Sequence, residues 1–319
     1  SPRAVRAVCS VRLRKFMPAV WQAVVGGAMG RGETVDNLPR VIHMKIALLQ
    51  TVTGASKAEN IEKLRPLIED AAGAGATLIV LPEASSQAFD QGRLDTQAEE
   101  LDGEFATAMR ELATRCGVKI VAGMFRPGDV NKVGEKTLNR VRNTALITGE
   151  NIHKGYDKIH AYDAFNYRES DTVQTGSELL TFEHEGVTVG VAICFDIRFP
   201  EQFKALAARG AKLIVVPTSW ADGADKIEQW RTLTAARALD SGAFIAAAGQ
   251  ARPDWETKAG EASGPTGAGH SCVVNPVGHR IAEAGYAPET LIVDIDLSEV
   301  DTTRRTLPLL TITEQTEMH

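Results

Sequence analysis

One pattern occurs twice in this chain of 319 residues, and it restricts the fold more than any other feature. AGAGATLIVLPE ends at Glu83, and AARGAKLIVVPT ends at Thr218. Each passage reads as the end of a helix, a Gly-Ala break and a short apolar strand with a proline near its end, over Ala76–Glu83 and residues 211–218. The helix before the first strand is expected over Ala58–Ala72, with Ile61, Leu64, Ile68 and Ala72 on one face. A strand over Lys45–Gln50 leads into it, and a strand over Val187–Ile193 leads into the second unit. One βα unit cannot cover both faces of its own sheet, so it must pack against further layers. Two copies in one chain predict an internal repeat, with its halves packed around a pseudo-twofold axis.

The remaining elements interleave in the same way. Helices are expected over Leu101–Arg115, Glu201–Arg209 and Ile227–Asp240. Strands are expected over Val118–Phe125, Asn143–Thr148 and Ala243–Gln250, then over Ser271–Asn275, Arg280–Glu283 and Leu291–Asp296. No linker or low-complexity break divides them. The expectation is one α/β domain over residues 44–310, with two sheets face to face and helices outside. Residues 311–319 are expected to be a tail. Gly260–Gly269 reads as a long loop, and loops of that length inside a compact domain are often functional.

Residues 1–43 differ. Arg3, Arg6, Arg12, Arg14 and Lys15 precede a weakly apolar stretch, and no acidic residue appears before Glu33. A targeting peptide is one reading. The reading preferred here is an extension outside the fold, since Met44 stands directly before the first clear strand.

Composition excludes several classes. The net charge of -6 and the absence of a basic stripe in the main body argue against a nucleic-acid partner. No apolar run is long enough to span a bilayer. Cys9, Cys116, Cys194 and Cys272 form no CxxC pair, so neither a zinc site nor a disulfide framework is expected, and a reducing, cytoplasmic setting fits.

Cys194 ends the apolar run VTVGVAIC, and Pro200 opens the next helical pattern. The thiol is thus expected at the carboxyl end of a strand, where α/β sheets bind ligands. Nearby helix N–H groups are expected to favour the thiolate. A lone free cysteine is more often a small buried hydrophobe, so Cys194 by itself does not establish catalysis. Glu83 stands at the other strand end, where the repeat has Thr218, so the fold does not demand an acid there. Beside an apolar core its pKa should be raised, which suits a base. Lys158 and His160 lie together in GYDKIHAYDAF. Read alone, the residues leave open which of Glu83, Lys158 and His160 approaches Cys194.

LPE at 81–83, YDKIHAYDAF at 156–165 and CFDIRFPE at 194–201 resemble, in order and spacing, the three signatures of the nitrilase or carbon–nitrogen hydrolase superfamily. The similarity runs from about Met44 to about Leu310 and is nearest to the branch of small aliphatic amidases. It implies a four-layer αββα sandwich, commonly paired into dimers. It also implies Cys194 as nucleophile, Glu83 as general base, Lys158 as oxyanion stabiliser and Glu169 in a supporting role. The Phe195 backbone N–H would share the oxyanion hole, and His160 would belong to the motif without acting as base. Phe195 stands where relatives often carry Tyr, so a hydroxyl contact would be lost. Thr218 and Trp220 are expected beside the substrate. Arg168, Arg198 and Lys226 are candidate partners for a substrate carboxylate.

The activity so implied is hydrolysis of a small, carboxylate-bearing ω-amide through a thioester, with no cofactor or metal. Nitrile or N-carbamoyl hydrolysis on the same residues is the alternative, and a silent binding protein on this fold is another. Metal-dependent hydrolysis lacks a ligand cluster in the sequence.

Overall fold

The computed structural model describes residues 5–7, 42–164 and 167–314. Along the chain run β1 (Val5–Ala7), β2 (His43–Gln50), α1 (Lys57–Gly73), β3 (Leu78–Val80), α2 (Glu104–Cys116), β4 (Lys119–Val133), β5 (Lys136–Gly149) and β6 (Ile152–Asp157). The two-residue strands β7 (Asp163–Ala164) and β8 (Tyr167–Arg168) lead to β9 (Thr181–His184), β10 (Val187–Val191), α3 (Pro200–Ala208), β11 (Leu213–Thr218), α4 (Lys226–Ser241) and β12 (Phe244–Gly249). Last come α5 (Trp255–Lys258), β13 (Cys272–Val274), β14 (Arg280–Glu283), β15 (Glu289–Asp296), α6 (Ser298–Thr306) and α7 (Leu309–Glu314).

The repeat seen in the sequence becomes two sheets built on one plan. The first has the order β1-β15-β2-β3-β4-β5-β6 and the second β14-β13-β12-β11-β10-β9. In the first, β2, β3 and β4 are parallel, while β5 and β6 add antiparallel. In the second, β10, β11 and β12 are parallel, while β13 and β14 add antiparallel. An antiparallel strand flanks the first parallel strand of each half, β15 beside β2 and β9 beside β10. Helices cover the outer faces, which completes the αββα sandwich.

The alternation of β2 shows how the layers are made. Met44, Ile46 and Leu48 enter the core shared with β10, β11 and β12, and Ala47 and Leu49 enter a second core with α1 and α2. Successive strand residues point to opposite faces, so a strand between two apolar layers must be apolar on both. Ile61, Leu64 and Ile68 of α1 and Phe105, Met109 and Leu112 of α2 close that outer layer. Each such side chain taken fully from water contributes about 1.5–3 kcal/mol.

Three differences from the sequence reading have physical causes. The first repeat strand, expected through LIVLPE to Glu83, ends as a ladder at Val80, ahead of the turn at Ala84 with φ +59°, whereas its counterpart β11 runs on through Pro217 to Thr218. The strands expected over Val118–Phe125 and Asn143–Thr148 extend into one long hairpin, β4–β5, whose distal part is polar and carries no alternating apolar signal. β6 and β9 were not expected at all; IHKGYD and TFEH hold only Ile152, Tyr156 and Phe182 as large apolar side chains.

The extension over residues 1–43 falls largely outside the described residues. Within it, Val5–Ala7 pairs in parallel with Thr290–Ile292 at the edge of the first sheet. Part of the expected tail forms α7, which rests on α3 and α4. Among the described residues no helix is long and apolar enough to cross a membrane.

Candidate active site

The carboxyl ends of β3 and β10 face each other across the two sheets, and the candidate residues stand there. Beyond Pro82 the chain turns at Ala84, a non-glycine residue with φ +59°. β4 passes so close that a Cβ on Gly123 would lie 2.6 Å from the Glu83 Cα and the Pro82 carbonyl oxygen. Only glycine admits that approach, and it presses Glu83 into the space between the sheets. Glu83 is buried, and its oxygens accept from three sides. Asn143 Nδ2 donates to Oε1 at 2.7 Å, Lys158 Nζ to Oε1 at 3.2 Å, and the Ser219 N–H to Oε2 at 2.8 Å.

Lys158 follows β6 and is buried. Its ammonium also donates to both oxygens of buried Glu169, at 3.1 and 3.0 Å. Glu169 opens a single 3-10 turn, Glu169–Asp171, and is fixed by the Tyr162 N–H at 2.6 Å. Two buried carboxylates therefore hold one buried ammonium.

Cys194 has φ +42° and begins a 3-10 helix, Cys194–Arg198, which precedes α3. A β-carbon in that region is uncommon and is retained only where the surroundings impose it. Asp196 imposes it here. Fully buried, it accepts from the Ile193 N–H at 2.9 Å, Tyr156 Oη at 2.7 Å, the His160 N–H at 3.1 Å and His160 Nδ1 at 2.8 Å. The Cys194 thiol donates to the Ser219 carbonyl oxygen at 3.7 Å and lines the same pocket as the Glu83 carboxylate.

The electrostatics follow from burial. Desolvation raises the Glu83 pKa, although Lys158 pulls the other way. Desolvation opposes charge on Lys158 as well, yet Glu169 and Glu83 outweigh it and hold the ammonium well above its usual pKa. Desolvation and then the charge on Glu83 push the thiol well above its ordinary pKa. The expectation that helix N–H groups would favour a resting thiolate is thus corrected: beside a buried carboxylate the thiol stays protonated until a base takes its proton.

A small pocket opens over these groups. Glu83, Lys158, Glu169, Cys194, Phe195 and Trp220 all line it. Arg198 and Lys226 line it too, whereas Arg168 is largely exposed beside Asp171 and does not. Thr218 turns its hydroxyl to the Val216 carbonyl, and its neighbour Ser219 forms the wall instead. His160 is committed to Asp196 and stacks on Phe199 with centroids 3.5 Å apart. Trp220 both faces the pocket and packs on Trp230, and its Nε1–H donates to the Lys226 carbonyl.

The sequence reading missed Asn143, the Ser219 N–H and Tyr162. Asn143 left one signal, a polar residue opening an otherwise apolar strand. A backbone donor leaves none.

The sequence model of the Carbon-nitrogen hydrolase family matches residues 45–305, and the chain belongs to that family; it is a hydrolase. Hydrolase Rv0480c of Mycobacterium tuberculosis is 42% identical over 274 residues, covering 84% of this chain and 94% of the relative. Omega-amidase NIT2 of Danio rerio is 30% identical over 272 residues, covering 83% and 92%. Among solved structures, Saccharomyces cerevisiae Nit3, a member of branch 10 of the nitrilase superfamily, superposes with a TM-score of 0.69 at 26% identity, covering 84% of this chain and 95% of that one.

Proposed function

We propose that this chain hydrolyses the amide of a small ω-amide bearing a carboxylate, giving the acid and ammonia through a thioester on Cys194. The observation that carries the reading is that Cys194, Glu83 and Lys158 line one pocket, with Glu83 bridged to Lys158 at 3.2 Å. The similarity to omega-amidases supports the amide as the bond cleaved.

Glu83 takes the thiol proton as sulfur attacks the amide carbon. The developing oxyanion accepts from the Lys158 ammonium and from the Phe195 N–H, one of the first N–H groups of a helix and so without an intrahelical acceptor. One preorganised donor of this kind is worth about 10²–10³ in rate. The carbon–nitrogen bond breaks, nitrogen takes the proton from Glu83, and ammonia leaves a thioester. Water then attacks that carbonyl and gives its proton to Glu83; the acid departs as the thiolate is reprotonated. Glu169 keeps Lys158 charged and aimed. Arg198 and Lys226 on the pocket wall favour an anionic acyl chain over a neutral one, because opposite charges attract most where water is scarce. The substrate is a small molecule, and we take the working form to be a cytoplasmic homodimer.

Ammonia release from a series of ω-amides, nitriles and N-carbamoyl compounds tests the reading. Turnover of ω-amides, with a mass increase on the intact chain matching the acyl group, is the expected result. Cys194→Ala should lower turnover on the order of 10³-fold or more, with a melting temperature within about 3 °C of the parent. Wild-type turnover in that variant, or release of ammonia from nitriles alone, would overturn the proposal.

A further inference from the structure

A buried ion pair lies outside the reacting groups and joins two loops of the pocket wall. Asp222 follows Trp220 and Ala221, which line the pocket; Arg252 begins the long segment that reaches Pro265, which lines it too. The two side chains are 0% and 7% exposed, and Arg252 Nε donates to Asp222 Oδ2 at 3.2 Å. The same oxygen accepts from the Gly260 N–H at 2.8 Å, and Oδ1 accepts from the Gly223 N–H at 2.8 Å. The Asp222 N–H donates to Ser263 Oγ at 3.1 Å, and the Ser263 N–H to the Asp222 carbonyl at 3.2 Å.

Little else holds the segment. Residues 254–262 are exposed, and four of the ten residues from Gly260 to Gly269 are glycine. Ala268 is the first residue after Arg252 to enter the core. A glycine-rich strip without apolar anchors loses much entropy on ordering, so its polar tethers decide its position. Buried ion pairs add little net stability but can select one arrangement over others. The last tether stands at the pocket itself, where Ser219 Oγ donates to the Pro265 carbonyl at 2.7 Å.

We propose that Asp222 and Arg252 are positioning residues that clamp the 253–266 segment over the pocket, so that Pro265 limits the length and bulk of the acyl group admitted. Neither touches Cys194, Glu83 or Lys158. The inference rests on the proposed amide hydrolysis for its substrate, while its physical content, a wall held shut by one carboxylate, can be read from the thiol alone.

Alkylation of Cys194 provides that reading, with iodoacetamide as the small reagent and N-phenylmaleimide as the bulky one, in the background Cys9→Ser and Cys116→Ser. In Asp222→Asn and Arg252→Met the bulky reagent should gain about tenfold over the small one, since the opened wall relieves a steric limit and leaves thiol chemistry unchanged. KM for a short ω-amide should rise more than kcat falls, and longer acyl chains should gain in relative kcat/KM. Ser263→Ala, which removes one tether only, should shift the reagent ratio in the same direction by less and serves if the ion-pair variants fold poorly. An unchanged reagent ratio in folded variants, or equal gains for both reagents, would overturn the clamp. Absence of amide turnover in the parent protein alongside a shifted ratio would overturn the substrate reading and leave the clamp standing.

Discussion

Glu83 receives more donors than an ordinary carboxylate at a strand end, yet burial still raises its pKa. As the proposed base it acts only when ionised. Activity should therefore fall as pH drops through the Glu83 pKa, and the acid limb of kcat/KM should centre above 4.5, the usual glutamate value. Asn143 lowers that pKa by donating to the carboxylate, so Asn143→Ala should move the limb to higher pH. A limb that stays put in this variant would count against Glu83 as the titrating group. Lys158 carries a different liability. It sits between two buried carboxylates, so Lys158→Met leaves both uncompensated and should cost about 3–5 kcal/mol as well as catalysis. Protonating Glu83, whose pKa burial already raises, removes the repulsion, so the stability deficit measured by urea unfolding should shrink as pH is lowered. A deficit independent of pH would show that packing, rather than charge, sets it.

At the scale of elements, β9 shows how a strand with weak sequence signal is kept in place. It lies at the edge of the second sheet, and His184 reaches across to Thr77, before β3 of the first sheet, with Nε2 and Oγ1 3.0 Å apart. Burial, with a smaller contribution from Lys119, lowers the His184 pKa to about 4. The unfolded chain binds the proton near 6.5, so between those values it holds more protons than the fold does. Stability from this residue is complete above pH 6.5 and is lost as pH falls toward 4. His184→Gln should flatten the stability curve across that window, and an equally steep curve in the variant would refute the assignment. The same element explains part of what could be read in advance. β2, β10 and β11 announce themselves as apolar runs because both of their faces are covered. β9 and the outer part of β4–β5 are partnered mainly by backbone, which no side chain records. In the site, Cys194, Glu83 and Lys158 were legible as chemistry at strand ends and as motifs. The Ser219 N–H, the Gly123 approach and the Asp222–Arg252 pair arise from tertiary contact and were not.

In the whole molecule the apolar core runs without a break from β2 and β3 through the second sheet to α3 and α4. Neither half can bury its inner face alone. Heat or urea should therefore produce one transition, with far-ultraviolet dichroism and the fluorescence of Trp220 and Trp230 changing together. Separate midpoints for the two signals would show that the halves are independent units.

The carboxylate of Glu83 takes donors from both halves, Asn143 and Lys158 from the first and Ser219 from the second. This gives the site an order in time. As the chain is made, Glu83 and Lys158 emerge well before Cys194, and Ser219 follows later still. No partly made chain can hold the finished constellation, so the thiol remains an ordinary cysteine until the second βα unit has docked. Reactivity at Cys194 is therefore a clock for the end of folding, and labelling it during refolding would time the moment at which the two sheets close.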